Sequence, residues 1–403
     1  MKKLQPLLLI VMAIACTSVE KENSVPSVQR LDSTEITHQK LTERIETLMD
    51  SGKVAGLSVT IFNENTIAYS KAFGWANVDK KDSLNTDMIV YGASFSKAVF
   101  GYLVSQLAVE GIIDLDKPIQ EYLDKPLPEI KFAKEWRGFA NLKDDKRYEQ
   151  ITARMCLAHT TGLPNWRWIS KDGVFNPEGK IKFYFDPGTR YSYSGEGMTL
   201  LQHAIEKITN KGLEELARER IFDPLKMDMT SYVWQERFKG KFCYGHTVEG
   251  KVIPKDTEDE ANAAGSMETT FADYNKFFKH IMEQHQANSS VIAEMLKSSS
   301  VNIKSKMQFG PLAWEDSTLH DHINLRYGLG WGLMDTPHGI AAFKEGHGEG
   351  FQHYSIMFPE KKIGLILMSN SDNGESIFKY LLEETIGDVY TSWEWENYIP
   401  YDY

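Results

Sequence analysis

The chain has 403 residues, of which 42% are hydrophobic and 25% charged, so it has enough apolar side chains for the full core of a globular protein. Its formal net charge is -11, and it contains no long run of basic residues. Because binding to a phosphate backbone needs clustered Lys and Arg, this balance argues against nucleic acid as a partner.

The N-terminus has the pattern of a bacterial secretion signal. Two lysines precede an apolar run at positions 7–12, which is too short to span a bilayer as a permanent helix. The run ends in "AIAC", and small residues before a cysteine resemble the site at which bacterial lipoproteins receive their lipid. We therefore predict a signal peptide at 1–15, a lipidated Cys16, and a polar tether at 16–38 that anchors the protein in the bacterial cell envelope, facing the periplasm or the exterior. A plain secretory signal with an incidental cysteine is the alternative.

Helix and strand patterns alternate in the segment that follows. "HQKLTERIETLMDSG" predicts an amphipathic helix, because Leu41, Ile45 and Leu48 share one face and a glycine follows. Two β-rich runs come next, "GLSVTIF" and "TIAYSKAFGWA", and the turn "NEN" between them predicts a hairpin. Residues 94–110 carry two adjacent apolar rows, so we expect a deeply buried helix that ends at Gly111.

The rest of the chain separates a helical middle from a strand-rich end. Residues 120–300 are rich in helical patterns such as "GMTLLQHAIEKITN", and strand patterns return after 325 in "YGLGWGL", "QHYSIMF" and "KIGLILMSN". This order predicts an α/β (α+β) fold, with one antiparallel sheet built from both chain ends, flanked by helices, and a helical insert. We place this domain at 39–390, expect a site in the cleft between sheet and helical region, and expect the aromatic tail at 391–403 to dock on the domain.

Two cysteines remain beyond the leader, Cys156 and Cys243. An oxidising envelope would permit a disulfide between them, but Cys156 lies in the apolar stretch "ITARMCLA". Buried free thiols are therefore the favoured interpretation, and a Cys156–Cys243 bridge is the alternative.

A serine and a lysine one helical turn apart open the predicted buried helix. Ser-x-x-Lys occurs three times, beginning at Ser18, Ser94 and Ser376, but only Ser94 both follows a strand pattern and begins a buried helix. Its hydroxyl can lie at the helix N-terminus, where backbone N–H groups favour negative charge. Lys97 shares the face of Ser94 among apolar rows, so desolvation favours its neutral form, which can take the serine proton. An ordinary helix-start serine is the alternative.

The stretch "SFSKAVFGYLVSQLAVEGIIDLDKPIQEYL" strongly resembles the penicillin-recognising serine hydrolases. These include class C β-lactamases, D-alanyl-D-alanine carboxypeptidases, and the related esterases and D-aminopeptidases. The resemblance continues in the right order through "LAHTTGLPNW", "PGTRYSYSGEGMTLLQHAIEKIT", "YGLGWGL" and "GHGEGF", over about residues 40–385. It implies the β-lactamase/transpeptidase-like fold and a serine acyl-enzyme, with no metal or organic cofactor.

The resemblance also implies a catalytic tyrosine in "YSYSG". The register from "PGT" favours Tyr193 over Tyr191 as the residue that helps Lys97 relay the proton to the leaving group, and a charged lysine nearby would lower the pKa of the phenol. Many relatives carry an asparagine two residues after this tyrosine, and it contacts the amide of the substrate. Here that position is Gly195, which weakens the case for a penicillinase.

The third element of the family is Lys-Thr-Gly or His-x-Gly on a strand that lines the cleft. We match it to His347, Gly348 and Glu349 in "EGHGEGF", and expect His347 and Gly348 to bind substrate. Glu349 replaces a glycine, the segment before "GF" is shorter than in most relatives, and histidine carries less fixed positive charge than lysine at neutral pH. A structural loop histidine is the alternative. In "NWRW", Trp166 is expected to line the cleft, and Arg167 either meets an acidic substrate or serves the surface loop.

Together these residues predict an envelope serine hydrolase that forms an acyl-enzyme on ester or amide substrates, including peptides and β-lactam-like compounds. An esterase or D-amino-acid peptidase is favoured over an efficient β-lactamase. The expected partners are a small-molecule ester, peptide or peptidoglycan-like substrate and the membrane, through the lipid anchor.

The histidines of "LHDHINLR" are expected to lie in a solvated loop rather than a metal site. The alternative is a penicillin-binding-like scaffold without turnover that binds envelope peptides or glycans, which the altered "HGE" segment favours and the retained Ser94, Lys97 and Tyr193 oppose.

Overall fold

The computed structural model describes residues 25–257, 260–297 and 299–403. The predicted signal peptide and the predicted lipidation site at Cys16 lie outside these residues. Within the described ranges, no helix is both long enough and apolar enough to cross a membrane.

The described residues contain twelve strands and nine α-helices. The strands are β1 (Ser27–Gln29), β2 (Glu35–Thr37), β3 (Gly56–Asn63), β4 (Thr66–Asn77), β5 (Asp82–Ser83), β6 (Ile89–Tyr91), β7 (Glu268–Thr270), β8 (Arg326–Tyr327), β9 (Gly332–Thr336), β10 (Gly339–Gly348), β11 (Phe351–Phe358) and β12 (Ile363–Ser369). The helices are α1 (His38–Gly52), α2 (Phe95–Val109), α3 (Ala153–Leu157), α4 (Gly195–Thr209), α5 (Leu213–Ala217), α6 (Phe271–Gln286), α7 (Ser290–Met295), α8 (Phe378–Thr385) and α9 (Trp393–Glu396).

An eight-stranded antiparallel sheet forms the centre, with the strand order β5-β4-β3-β12-β11-β10-β9-β8. β3 and β12 are neighbours, with Leu57 opposite Ser369, so the two ends of the chain meet in the middle of the sheet. Every residue of β12 is buried, as expected for a central strand that is covered on both faces. The predicted antiparallel sheet from both chain ends is therefore confirmed.

Helices cover both faces of this sheet and create two hydrophobic cores. On one face, α1 and α8 pack against side chains such as Leu57 and Leu365. On the other face, α2 and α6 pack against Ile366 and Met368, together with much of the helical region. The alternation of side chains along each strand sends successive residues into different cores, which explains why the central strands read as continuous apolar runs.

The helix α2 is buried on nearly all sides. Twelve of its fifteen residues are buried, which confirms the expectation drawn from its two apolar rows. Gly101 allows this packing, because a Cβ on this residue would lie 2.2 Å from the Leu329 carbonyl oxygen. The chain leaves the helix through Gly111, which has a φ of 74°, in the left-handed region that favours glycine.

The predicted tether is wrong for residues 27–37. These residues form the antiparallel hairpin of β1 and β2, in which Val28 is fully buried. The backbone N–H of Leu31 donates to the Ile386 carbonyl oxygen at 2.8 Å, which ties the hairpin to the end of α8. The sequence pattern failed here because short strands with few apolar residues are indistinguishable from polar linker.

The C-terminal tail packs on the domain. Trp395 and Tyr398 are fully buried, and they join the core on the α1 and α8 face. The Trp395 indole N–H donates to Ser305 Oγ at 3.1 Å, so the tail also covers the loop at 299–316. These contacts make the tail part of the core of the domain.

Both cysteines are free thiols in the interior. Cys156 and Cys243 are fully buried, and the two form no disulfide. The favoured interpretation of buried free thiols is confirmed, and the alternative of a Cys156–Cys243 bridge is wrong.

Candidate active site

A strained turn places Ser94 at the N-terminus of α2. The preceding residue, Ala93, has a φ of 45°, an uncommon conformation for a residue with a side chain. Two groups anchor the turn, because the Gly92 N–H donates to the Met267 carbonyl oxygen at 2.7 Å and Ser96 Oγ donates to the Ala93 carbonyl oxygen at 2.6 Å. Ser94 is therefore held at the start of a buried helix while its own side chain stays partly exposed.

Lys97 lies one turn into α2 and contacts Ser94 directly. The distance between Lys97 Nζ and Ser94 Oγ is 3.0 Å, and Nζ also donates to the Ala264 carbonyl oxygen. Burial, and secondly the charge of Lys344, hold the pKa of Lys97 well below its usual range. A neutral amine beside the hydroxyl can accept the serine proton, as the sequence suggested.

Tyr193 lies over Lys97, which agrees with the choice of this residue over Tyr191. Lys97 Nζ lies 4.8 Å from the centre of the Tyr193 ring, and the His159 ring stacks on Tyr193 with 4.1 Å between ring centres. Tyr191 instead packs against Trp395, with 5.8 Å between ring centres. The Tyr191 side chain therefore packs against the C-terminal tail.

The charge state of Tyr193 differs from the sequence-based expectation. Burial, followed by the negative charge of Glu345, raises the pKa of the phenol well above its usual range, and the hydrogen bond with Ser94 offsets only part of this. A charged Lys97 was expected to lower this pKa, but burial lowers the pKa of Lys97 itself and so favours its neutral form. Tyr193 is therefore a neutral phenol that can donate a proton.

A second lysine, Lys344 on β10, completes the site, and the sequence reasoning missed it. Its side chain is fully buried, and Nζ donates to Tyr193 Oη at 3.0 Å, to Tyr327 Oη at 3.1 Å and to Glu345 Oε1 at 2.7 Å. Lys344, Glu345 and Gly346 have the form Lys-x-Gly, three residues before the triplet that we matched to this element. Had the match begun at Lys344, the segment before "GF" would not have appeared short.

His347 therefore does not hold the lysine position of the third element. Its Nε2 forms an ion pair with Glu375, and its ring contacts Phe309, which in turn contacts Tyr193. Burial by itself would lower the pKa of His347, but the Glu375 carboxylate outweighs burial and raises it. The histidine is thus more often charged than we expected, although its charge is already paired.

Gly348 and Gly346 bring the backbone of β10 against the turn that carries Ser94. A Cβ on Gly348 would lie 2.5 Å from the Tyr91 ring, and a Cβ on Gly346 would lie 3.4 Å from the Gly92 carbonyl oxygen. Glu349, by contrast, is exposed beyond the end of the strand. In the match that begins at Lys344, the glycine that the close approach requires is therefore present, at Gly346.

One edge of β10 is open beside the site. β9 pairs with β10 only through residues 339–343, whereas β11 pairs with it along 342–348. Among the described residues, no strand pairs with the other edge of 344–348. This edge leaves backbone groups available next to Ser94.

The predicted cleft wall and the neighbouring arginine have different environments. Trp166 is 60% exposed, whereas Arg167 is buried and forms a bidentate ion pair with Glu196, at 2.9 and 2.7 Å. Of the two roles left open for Arg167, contact with an acidic substrate is wrong, because its guanidinium is already satisfied by Glu196 and by backbone carbonyl groups at 136–138. Its function is to hold the loop that bears Trp166.

The other Ser-x-x-Lys at Ser376 has no such geometry. Ser376 Oγ donates to the Asn373 carbonyl oxygen at 2.7 Å, and Lys379 pairs with Glu383. Ser18 lies outside the described residues. In the described part of the chain, no group of three or more His, Cys, Asp or Glu side chains is arranged to hold a metal ion.

Comparisons with known proteins agree with this fold. The Beta-lactamase family model matches residues 41–384. Protein flp of Staphylococcus aureus (strain MW2) is 22% identical over 347 residues, which cover 82% of this chain and 63% of that protein, and Penicillin-binding protein 4* of Bacillus subtilis (strain 168) is 24% identical, covering 76% of this chain and 66% of that protein. This chain thus spans less than two thirds of the length of the flp proteins.

A solved structure shows the same fold. The structure of the octameric penicillin-binding protein homologue from Pyrococcus abyssi superposes with a TM-score of 0.66 at 22% identity, covering 87% of this chain and 80% of that chain. This likeness confirms the predicted β-lactamase/transpeptidase-like fold. Since the family model matches most of the chain, this protein belongs to the β-lactamase and penicillin-binding protein family.

Proposed function

We propose that the protein is a serine hydrolase that forms an acyl-enzyme on Ser94 and acts on ester or amide substrates. The observation that carries the proposal is the 3.0 Å contact between Ser94 Oγ and Lys97 Nζ, in a place where burial favours the neutral amine. Esterase or D-amino-acid peptidase activity is favoured over efficient β-lactamase activity. Membership of the family supports this reaction class without naming the substrate.

Acylation begins with the transfer of the Ser94 proton to Lys97 Nζ. Ser94 Oγ then forms a bond to the substrate carbonyl carbon, and the carbonyl oxygen takes on negative charge. When the tetrahedral intermediate collapses, the bond to the leaving group breaks, and Tyr193 delivers the proton that this group needs. Lys344, which donates to Tyr193 Oη, stabilises the phenolate that forms and lets the phenol recover its proton from Lys97. Water then releases the acyl group by the same steps in reverse.

Backbone N–H groups are the proposed stabilisers of the developing oxyanion. The N–H of Ser94 lies at the N-terminus of α2, and the open edge of β10 at 344–348 lies against the same turn. The close packing of Gly346 and Gly348 against the turn favours a second donor on β10.

The charges around the site favour a neutral substrate. His347 forms an ion pair with Glu375, and Arg167 forms one with Glu196. Neither of these two cations is therefore free to hold a substrate carboxylate. Glu349 adds an exposed negative charge two residues after His347 in the chain. An ester or an N-acyl compound without a free carboxylate avoids this repulsion, whereas most β-lactam antibiotics and peptide C-termini are anions.

We also propose that the enzyme works in the bacterial cell envelope, anchored through Cys16.

The test is the mass of the intact protein after incubation with a fluorophosphonate probe. We expect one adduct on the parent and on Ser376→Ala, which removes the serine of the other Ser-x-x-Lys, and no adduct on Ser94→Ala. If the folded parent takes no adduct, the protein is not an activated serine hydrolase, and the non-catalytic scaffold becomes the better explanation.

A further inference from the structure

An exposed carboxamide, that of Asn165, lies beside the proposed site and has a fixed orientation. Its Oδ1 accepts a hydrogen bond from the backbone N–H of Gly195 at 3.1 Å. A backbone N–H can only donate, so the atom that faces it must be the oxygen of the carboxamide. The Nδ2 group therefore points away from α4. Asn165 itself is exposed, and no hydrogen bond to its Nδ2 is present among the described residues.

Gly195 is what allows Asn165 to take this position. A Cβ on Gly195 would lie 2.6 Å from the Asn165 carbonyl oxygen and 3.1 Å from Asn165 Oδ1, so any side chain at 195 would collide with it. The Ser194 hydroxyl caps Gly197 and leaves the Gly195 N–H for the carboxamide. Asn165 thus fills the space that a side chain at 195 would occupy.

The same space adjoins the catalytic lysine. The Cβ position of Gly195 is 3.7 Å from Ala264 Cβ, and the Ala264 carbonyl oxygen accepts a hydrogen bond from Lys97 Nζ. The residue before it, Ala263, donates its backbone N–H to Gln202 Oε1 of α4 at 2.8 Å. Gly195, which donates to the Asn165 carboxamide, is therefore adjacent to Ala264, which accepts from the general base.

We propose that Asn165 is a substrate-positioning residue whose Nδ2 donates a hydrogen bond to a neutral carbonyl oxygen of the substrate, other than the carbonyl that reacts. This inference rests on the proposed function and adds a substrate class, namely compounds that carry a second carbonyl group near the scissile bond. A neutral donor suits a neutral acceptor, and the nearby Arg167 is already paired with Glu196 and so does not recruit a carboxylate instead.

The experiment compares two substrates of nearly equal shape, p-nitrophenyl N-acetylglycinate and p-nitrophenyl valerate, of which only the first has a second carbonyl group. Asn165→Asp keeps an acceptor for the Gly195 N–H but removes the outward donor, and Asn165→Ala removes both. We expect both variants to lose about threefold to tenfold in kcat/KM on the N-acetyl ester. On valerate they should stay within about twofold of the parent, because that ester has no group for Nδ2 to bind.

A second pair, p-acetamidophenyl acetate and phenyl acetate, places the extra carbonyl in the leaving group. Selective loss on either pair supports the proposal, and Asn302→Ala, an exposed asparagine near the edge strand β8, should change none of the four rates. Equal losses on both members of each pair, or no loss on any, would overturn it. Failure of the proposed function looks different, because the parent would then hydrolyse none of the esters. In that case, NMR titration measures the affinity of the parent and of the same variants for two ligands, N-acetylglycine anilide and valeranilide. If the parent binds these two ligands with equal affinity, the inference is overturned.

Discussion

Replacing Lys344 by methionine tests the part of the site that the sequence reasoning missed. Lys344 and Glu345 are 0% and 1% exposed, and their side chains are 2.7 Å apart, so water cannot compensate for the loss of one charge. Removing one partner of such a buried pair costs about 3–5 kcal/mol of unfolding free energy. Lys344→Met should therefore be destabilised by about this amount. The double variant Lys344→Met/Glu345→Gln should recover part of the loss, because no unpaired charge remains.

The same substitution should change the pH dependence of the reaction. The charge of Lys344 helps to hold the pKa of Lys97 low, so its removal should raise that pKa. Lys97 would then stay protonated to a higher pH, and the rise of the labelling rate with pH should move to more alkaline values.

Two measurements check this prediction. Denaturant unfolding gives the free energy, and Lys239→Met serves as the control, because its partner Glu236 is 83% exposed and such pairs contribute at most about 1 kcal/mol. The rate of fluorophosphonate labelling against pH gives the second readout. Our account of the site is refuted if Lys344→Met unfolds within about 1 kcal/mol of the parent and keeps the parent's pH profile.

Three further predictions concern protonation and reactivity. Labelling of Ser94 should weaken as the pH falls through the depressed pKa of Lys97, and the midpoint of a pH series should lie well below pH 10; a midpoint where free lysine titrates would contradict the neutral-amine mechanism. Burial lowers the pKa of His353 to about 4, so the unfolded chain binds a proton that the folded chain excludes, and stability should fall by up to about 3 kcal/mol between pH 6.5 and 4. Unfolding of His353→Gln at the two pH values should show a smaller difference, and an equal one would exclude this histidine as the cause. Burial raises the pKa of the Cys156 thiol, and it raises the pKa of the Cys243 thiol to about 12. Iodoacetamide should therefore modify the two thiols only after unfolding, which the mass of the intact protein would show. Rapid labelling of either thiol in the folded protein would contradict the burial.

The sequence was sufficient where a signal is local. Ser94 and Lys97 are one helical turn apart in a helix whose apolar rows indicate burial, so their shared face and the effect of burial on the pKa of the lysine could be predicted from periodicity. The strand patterns at both ends of the chain likewise predicted the central sheet, and β3 does pair with β12. The resemblance then selected Tyr193 between two tyrosines that local pattern could not separate.

Residues that act together from distant parts of the chain were harder to predict. Lys344 looked like any lysine in a strand, and only the packing of β10 against α2 and Tyr193 shows that it is a buried partner of the tyrosine. Arg167 appeared free because its partner Glu196 is 29 residues away, and the loop had to fold before the pair could form.

What the sequence determined by itself is the helix that presents Ser94 to Lys97, the sheet made from both chain ends, and the membership of the family. What only the tertiary structure decided is the state of the charges: a neutral phenol at Tyr193, a lysine at 344 held against Glu345, a histidine at 347 already paired with Glu375, and a carboxamide at Asn165 turned outward by Gly195. The physical reason is that periodicity fixes neighbours within one element, whereas desolvation and charge pairing depend on groups that the chain brings together from far apart.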